Sequence, residues 1–286
     1  MASFFSEQTS DQVVNARMKP GINPRLARVM ESLVRHLHNF AKEVELTPEE
    51  WLYGVEFLTV TGKICSAERQ EFILLSDTLG LSMLVDAIGN RRPQEATENT
   101  VLGPFYVEGA PLRAMGDSIC LDGKGESCCF EGRVLDLEGK PIEAACVDVW
   151  SDNADGFYDV QQPELQPKWN NRGRFITGAD GVYRFIGIKP VSYPIPDDGP
   201  VGKMLSALGR HPYRPAHMHF RVSAPGYQPI ITHTFVGDDQ YIVDDAVFGV
   251  KQTLVAPFEL AETGTKWRSN FEFRMVAAAE PASAKT

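Results

Sequence analysis

Positive charge, paired cysteines and long apolar runs are all scarce in this chain of 286 residues. No apolar stretch approaches the roughly 18 residues that a membrane-spanning helix requires, so membrane insertion is not expected. The opening MASFFSEQTSDQ has neither the basic stretch nor the long apolar stretch of a secretory leader. Lys and Arg number 28 against 38 Asp and Glu, a formal charge of -10. That sign disfavours nucleic acid or an anionic membrane surface as the main partner. The five cysteines (Cys65, Cys120, Cys128, Cys129 and Cys146) are odd in number, and none forms a CxxC pair. They argue against a zinc ribbon or a disulfide framework and fit free thiols in a reducing, cytoplasmic setting. Internal repeats, an HExxH pair and a glycine-rich phosphate loop after a strand are missing too. What remains is an ordinary globular composition, 43% hydrophobic and 23% charged. The length suits one large domain or a core domain with a helical extension.

Two rhythms meet near residue 100. Before it, apolar residues recur at three- and four-residue steps, as on a helix. Pro24 opens one such segment, with Leu26, Val29, Met30, Leu33 and Leu37 on one face. Thr47-Pro-Glu-Glu50 combines an N-cap, a first-turn proline and a glutamate three residues on. It starts a second helix whose apolar face is Trp51, Leu52, Val55 and Leu58. A third helix is predicted from Ser66 through Phe72, Leu75 and Leu79 to a stop at Gly80. After residue 100, short alternating segments are separated by turn residues, as in a β-sandwich or barrel. Hairpins are expected at Glu138-Gly-Lys-Pro, between segments 129–137 and 145–151, and at Asp180-Gly181, between 174–177 and 182–186. Another joins 217–223 to 230–236, and 267–276 closes the series. The predicted class is α+β. Residues 1–23 read as an N-terminal extension, 24–100 as a helical domain, 101–276 as an all-β sandwich domain and 277–286 as a disordered tail.

The densest chemistry lies in residues 214–221, Arg-Pro-Ala-His-Met-His-Phe-Arg. On a strand, His217 and His219 project from one face. Two neutral imidazoles so close make a ready pair of metal ligands. No carboxylate triad accompanies them, but tyrosines are at hand: Tyr158 in Asp-Gly-Phe-Tyr and Tyr193 in Lys-Pro-Val-Ser-Tyr-Pro. Phenolate is a hard anionic donor, and the free phenol has a pKa of about 10. Only a strongly Lewis-acidic ion holds it deprotonated at neutral pH, and ferric iron suits that requirement. Two phenolates and two imidazoles would stabilise Fe(III) against reduction, in a site that polarises anionic oxygen ligands. The alternative from another class is a non-enzymatic β-sandwich binding module. There the His pair faces solvent or is hydrogen-bonded within the sheet, and the tyrosines only pack.

Residues 130–158, FEGRVLDLEGKPIEAACVDVWSDNADGFY, resemble the signature segment of the intradiol ring-cleavage dioxygenases. Gly132, Gly139, Val147-Asp-Val149, Gly156 and Tyr158 fall at that family's spacing. Tyr193 and the His217/His219 run match its remaining iron ligands. The N-terminal helices followed by Leu102-Gly-Pro-Phe-Tyr106 resemble its catechol branch. The resemblance implies one non-haem Fe(III) per subunit, held by Tyr158, Tyr193, His217 and His219. It implies that a vicinal aromatic diol chelates this iron in place of solvent and one tyrosinate, Tyr193, which accepts a proton. The activated ring then attacks O2, and a cis,cis-muconate-type diacid results. Arg214 is implied to stabilise negative charge building on the ring. His233, where many catechol enzymes carry glutamine, is implied to donate a hydrogen bond near the bound oxygen or substrate. His36, His38 and His211 lack such partners and read as non-catalytic. The resemblance further implies a homodimer joined through the N-terminal helices, with phospholipid in an apolar tunnel there.

Within the branch, two segments resemble the hydroxyquinol-cleaving members most. One is Tyr193-Pro-Ile-Pro-Asp-Asp-Gly-Pro-Val-Gly-Lys-Met-Leu; the other is Gly237-Asp-Asp-Gln-Tyr followed by Asp-Asp-Ala-Val-Phe-Gly-Val-Lys. Gln240 departs from the proline expected there. The expected substrate is hydroxyquinol (benzene-1,2,4-triol), with chlorocatechol or catechol as alternatives. Leu74 and Asp77 match pocket positions of that subgroup, and Asp77 is suited to accept a hydrogen bond from the third hydroxyl. Val101, Leu102, Gly103, Pro104, Phe105, Ile195, Pro196 and Val250 complete the expected substrate pocket, together with Arg214.

Overall fold

The computed structural model describes residues 4–19, 21, 23–66 and 69–278. The chain divides into two compact units, Met1–Lys63 and Ile64–Thr286. The first unit carries α1 (Ser10–Asn15), α2 (Pro24–Glu43) and nearly all of α3 (Pro48–Ile64). Asn23 caps α2, its side chain accepting from the Leu26 N–H at 3.0 Å, and Pro24 sits in the first turn, where its missing N–H costs nothing. Thr47 and Glu50 cap α3 reciprocally, at 3.2 Å and 3.0 Å. Helix α1 lies in the segment expected to be a plain extension. It packs on α2, where His38 Nδ1 and the Ser10 hydroxyl are hydrogen-bonded at 3.0 Å. The predicted apolar faces exist but are not core: Leu26, Val29, Met30, Leu33 and Leu37 of α2 are exposed, as are Trp51, Leu52, Val55 and Leu58 of α3.

The second unit opens with α4 (Glu71–Thr78) and α5 (Leu81–Gly89). The helix predicted from Ser66 starts five residues later, at Glu71. Gly80, at a φ of 74°, makes the expected stop. The change of rhythm near residue 100 marks where helices give way, whereas the division into units falls after Lys63. Helix α4 is pinned to later chain. Buried Glu71 accepts from the Val201 N–H at 3.2 Å, at the start of α6 (Pro200–Ala207), and Arg210 donates to the Thr78 carbonyl at 2.6 Å. No single helix among the described residues is long and apolar enough to cross a membrane.

Among the described residues twelve strands follow: β1 (Ser127–Asp136), β2 (Cys146–Trp150), β3 (Arg172–Ile176), β4 (Val182–Ile188), β5 (Tyr193–Pro194) and β6 (Tyr213–Arg214), then β7 (His217–Ser223), β8 (Ile230–Val236), β9 (Val255–Ala256), β10 (Glu259–Leu260), β11 (Trp267–Asn270) and β12 (Phe273–Met275). One mixed sheet runs β10-β11-β1-β12 with β4 also on β1; a second runs β3-β2-β7-β8-β9; β5 and β6 pair by themselves. Alternation sends Phe130 and Val134 of β1, Phe185 of β4 and Phe273 of β12 into one core. Val147, Val149, Phe175, Met218, Phe220 and Val222 of the second sheet fill the same core.

Two of the three expected hairpins do not form. Strands β1 and β2 lie in different sheets, and so do β3 and β4. A turn motif is local and does not choose the partner; each strand goes where its apolar face is buried. Only β7 and β8 pair antiparallel as expected. The closing segment is broken into β11 and β12, which pair parallel with successive halves of β1. Opposite the break, Gly132 has room for no side chain: a Cβ there would fall 1.8 Å from the Phe271 carbonyl oxygen. The first two residues of the expected disordered tail are held, Ala277 by a bridge to Tyr227 and Ala278 by the Gly226 carbonyl at 2.8 Å. Residues 279–286 lie outside the described residues. Cys120, Cys128, Cys129 and Cys146 are free thiols, as expected.

Candidate metal centre

The face of the second sheet opposite its core carries a row of side chains fixed by register. His219 of β7 stands between Trp150 of β2 and His233 of β8, with Arg172 of β3 beyond Trp150. Trp150 stacks on His219 with ring centroids 4.7 Å apart, and the His219 and His233 rings are 4.1 Å apart. His217, two residues along β7, shares the face. Its Nδ1–H donates to the Pro215 carbonyl at 2.7 Å, which puts the lone pair on Nε2, the nitrogen that faces the centre.

Two loops bring the tyrosines to this face. Tyr158 precedes a short 3-10 turn, Asp159–Gln161, and its N–H donates to the Gln161 side chain at 2.9 Å. Asp159 ties that turn to the row: its buried carboxylate accepts from buried Arg172 at 2.7 Å and from the Trp169 N–H at 3.0 Å. Phe105 stacks on the Tyr158 ring at 4.5 Å. Tyr193 sits on β5, in register with Arg214 of β6. Gly156, at a φ of 82°, lets the loop before Tyr158 close on Tyr193; a Cβ there would lie 3.1 Å from the Tyr193 Cβ.

The four side chains meet in a closed ring of donor atoms. Tyr158 Oη lies 2.9 Å from His219 Nε2, which is 3.2 Å from His217 Nε2. Tyr193 Oη lies 3.5 Å from His217 Nε2 and 3.4 Å from Tyr158 Oη. Donors about 2.0–2.1 Å from a shared ion in tetrahedral array are about 3.3 Å apart, so the spacing fits a single ion. Charge fits as well. Burial, then the Arg214 guanidinium, push His217 down to about 3. Burial, then His233 and His217, push His219 well below its ordinary value. Both imidazoles are therefore neutral and able to ligate. Burial, then Tyr193, raise the Tyr158 phenol well above its usual range, and burial raises Tyr193 although Arg214 opposes it. The protein alone does not ionise these phenols, so the donor set calls for a hard, highly charged cation. A third imidazole is close, since ligand atoms of His217, His219 and His233 all lie within 4.8 Å of one another. His233 is buried, its Nδ1 is hydrogen-bonded to the Thr100 hydroxyl, and its Nε2 has no partner among the described residues.

The Dioxygenase family model matches residues 101–278, and the Catechol dioxygenase N terminus model matches residues 23–97. The chain belongs to the intradiol dioxygenases, in their catechol branch. It is similar to the hydroxyquinol 1,2-dioxygenase of Rhizobium sp. (strain MTP-10005), 55% identical over 91% of this chain and 88% of that one. The 6-chlorohydroxyquinol 1,2-dioxygenase of Cupriavidus pinatubonensis is 48% identical over 94% and 97% of the two chains. The structure of hydroxyquinol 1,2-dioxygenase from Pseudomonas putida DLL-E4 superposes with a TM-score of 0.89, at 45% identity, over 95% of this chain and 100% of that one. The non-enzymatic binding module is thereby set aside.

In this dioxygenase, Arg214 is buried and its Nη1 lies 3.2 Å from His217 Nε2. Gly103, at a φ of 79°, and half-buried Leu102 and Phe105 border the centre; Leu102 and Phe105 pack on the cluster of Trp150, Tyr158 and Tyr193. Leu74 packs on Ile195, Leu205, Ala246 and Val247. Asp77, Val101 and Val250 are half-buried, whereas Pro104 and Pro196 are exposed. The Asp77 carboxyl is raised by burial, while Ser82 and Arg214 oppose that shift. His211 stands apart, 3.2 Å from exposed Asp244. Sequence reasoning missed Trp150, Thr100, Arg172, Asp159 and Asp245, whose parts depend on cross-strand register or on loop closure. Only for Trp150 was there a signal, its place in the alternation of β2.

Gly103 leaves a test of how tightly the centre is set. A Cβ there would lie 3.2 Å from His219 Cε1. Gly103→Ala is expected to displace that ring and weaken metal binding about 10- to 100-fold, as read by competition with a chelator. An affinity equal to that of the unmodified chain would show that His219 has slack.

Proposed function

We propose that this dioxygenase holds one Fe(III) per subunit through Tyr158, Tyr193, His217 and His219. It cleaves hydroxyquinol (benzene-1,2,4-triol) with O2 between its vicinal hydroxyls, giving 3-hydroxy-cis,cis-muconate, the enol form of maleylacetate. The observation that carries this reading is the ring of four donors, 2.9–3.5 Å apart, in a chain 55% identical to a hydroxyquinol 1,2-dioxygenase. Iron, when bound, supplies Lewis-acid activation of the diol and a template that brings it to O2.

The chain's own residues do the rest. Tyr193 stands opposite Arg214 in strand register, and it takes the proton of one substrate hydroxyl. Arg214 offers a fixed positive charge where the ring gains electron density. His233 presents its free Nε2 toward the bound substrate or oxygen. Trp150, Phe105 and Leu102 exclude water from the ligand shell. Leu74, Val101, Gly103, Pro104, Ile195, Pro196 and Val250 form the pocket wall, and Asp77 accepts a hydrogen bond from the third hydroxyl. An acceptor lost from a buried site penalises the substrate that needs it, which gives the triol its advantage over catechol.

The two sheets sharing one core form a β-sandwich, and the exposed stripe of α2 supports a homodimer joined through N-terminal helices, with phospholipid along the apolar seam. A cytoplasmic setting suits the free thiols.

Three measurements test these statements. The purified protein is expected to be wine-red, from phenolate-to-iron charge transfer, with one iron per chain, and Tyr158→Phe to bleach it. A colourless, iron-free protein that cannot be reconstituted defeats the iron assignment. In steady-state kinetics, kcat/KM is expected to be highest for hydroxyquinol, and Asp77→Leu to erode its lead over catechol by about tenfold or more; a tenfold preference of the unmodified enzyme for catechol overturns the substrate. Sedimentation at micromolar concentration is expected to give a dimer, and a monomer there removes the proposed interface.

A further inference from the structure

We propose that Asp245 is a positioning residue for ring cleavage. It grips two of the Arg214 donors so that only the remaining edge of the guanidinium reaches the reacting diol. This rests on the functional reading above and assigns a part to a residue that reading does not use.

Both side chains are buried, Arg214 at 5% and Asp245 at 6% exposure. Arg214 Nε lies 3.3 Å from Asp245 Oδ1, and Nη2 lies 3.3 Å from Oδ2, a two-pronged pairing that fixes the plane of the guanidinium. Each carboxylate oxygen accepts once more, Oδ1 from the Val247 N–H at 3.2 Å and Oδ2 from the Gly249 N–H at 2.9 Å. The carboxylate is therefore held by its own loop and cannot follow the arginine if the arginine moves. Burial pushes the Asp245 carboxyl up, but Arg214 and the Val247 N–H outweigh that and keep it below the usual value. The pair stays charged.

The loop is clamped on both sides. The Ala246 N–H donates to the Tyr213 carbonyl at 3.1 Å, and Arg210 donates to the Ala246 carbonyl at 3.0 Å. Ala246 and Val247 pack with Ile195 and Leu205. Gly249 has no room for a side chain, because a Cβ would lie 2.8 Å from Arg214 Nη2 and 3.0 Å from Asp245 Oδ2. What remains of the arginine is Nη1, 3.2 Å from His217 Nε2 and so at the rim of the donor ring. A guanidinium has five N–H donors and stays charged. Freed from Asp245 in a buried site, it would swing its unpaired donors away from the reacting ring. Asp245 thus holds the charge that assists the reaction in one place at the rim of the donor ring.

Charge on the ring develops during the reaction, so misaiming Arg214 should slow turnover without weakening substrate binding. The test uses the iron-loaded, full-length enzyme. Asp245→Asn keeps the shape but turns an amide N–H toward donors of Arg214 or Gly249. It is expected to retain iron and the visible band, to bind hydroxyquinol without oxygen within about threefold of the unmodified enzyme, and to lose about 10- to 100-fold in kcat. Gly249→Ala, which wedges the pair apart while leaving both charges, is expected to give the same split and carries the test if Asp245→Asn does not fold. The proposal is overturned if kcat stays within about twofold in the folded variant, or if iron, band and activity fall together in both variants, the mark of a merely structural role. An unmodified enzyme without iron or ring cleavage would sink the functional reading instead.

Discussion

The structure depends on the two-residue period of one strand. Along β7, Met218, Phe220 and Val222 face the shared core, and His217 and His219 face away from it. The same backbone thus fixes the hydrophobic packing and aims the imidazoles. A shift of one residue in its pairing would bury the histidines among phenylalanines and send the core residues to the site. Antiparallel partners on both sides make that shift costly, with β2 and β8 each in full register against it. The tyrosines join from loops, but the loop carrying Tyr158 is referred to the sheet by the buried Asp159–Arg172 pair. Breaking such a pair leaves a buried charge without compensation, so the position of Tyr158 is coupled to the sheet more firmly than its turn alone would allow.

Burial then decides the protonation of the centre. It holds the imidazoles neutral and the phenols protonated, with His217 at about 3 and Tyr158 well above its usual range. A pocket that disfavours charge on every donor binds a cation only by giving up phenolic protons, which ties affinity to the charge of the ion. Of the permanent charges nearby, Arg214 and Asp245 are paired with each other, as are Arg172 and Asp159. A separate grip on the arginine is needed because its Nη1 is within hydrogen-bond distance of a nitrogen proposed to bind the metal.

Much of this was legible in the sequence, for physical reasons that differ by element. The His-x-His spacing needs only a strand to place both rings on one face, and Pro24 and the Thr47–Glu50 box state their helix starts locally. The exposed stripe of α2 was legible as apolar periodicity, yet periodicity does not say whether such a face meets core or solvent. Pairing was legible only for β7 and β8: Glu138-Gly-Lys-Pro and Asp180-Gly181 are good turns, and both connect strands of different sheets. The start of α4 was placed five residues early. Trp150, Thr100 and Asp245 act across strands or through a loop, and their importance appears only when register and closure place them beside His219, His233 and Arg214.

The histidine ligands and the part of the proposed pocket wall on α4 rest on different parts of the second unit, and this has consequences for what can change. His217 and His219 lie on a central strand of a five-stranded sheet, where any displacement is resisted by ladders on both sides and by the core beneath. Leu74 and Asp77 lie on the short helix α4, which Glu71 and Arg210 attach to α6 and to the chain after it. Ala246 and Val247 lie on a loop that Arg210 also contacts. Side chains on α4 can therefore be exchanged without touching the ladders that set the ligands, so the range of aromatic diols accepted can vary while the metal chemistry stays constant. The Asp245 loop is where that independence ends. One end of it packs against the wall through Val247 and the other grips Arg214, so a substitution that moves the wall far enough must also misaim the charge.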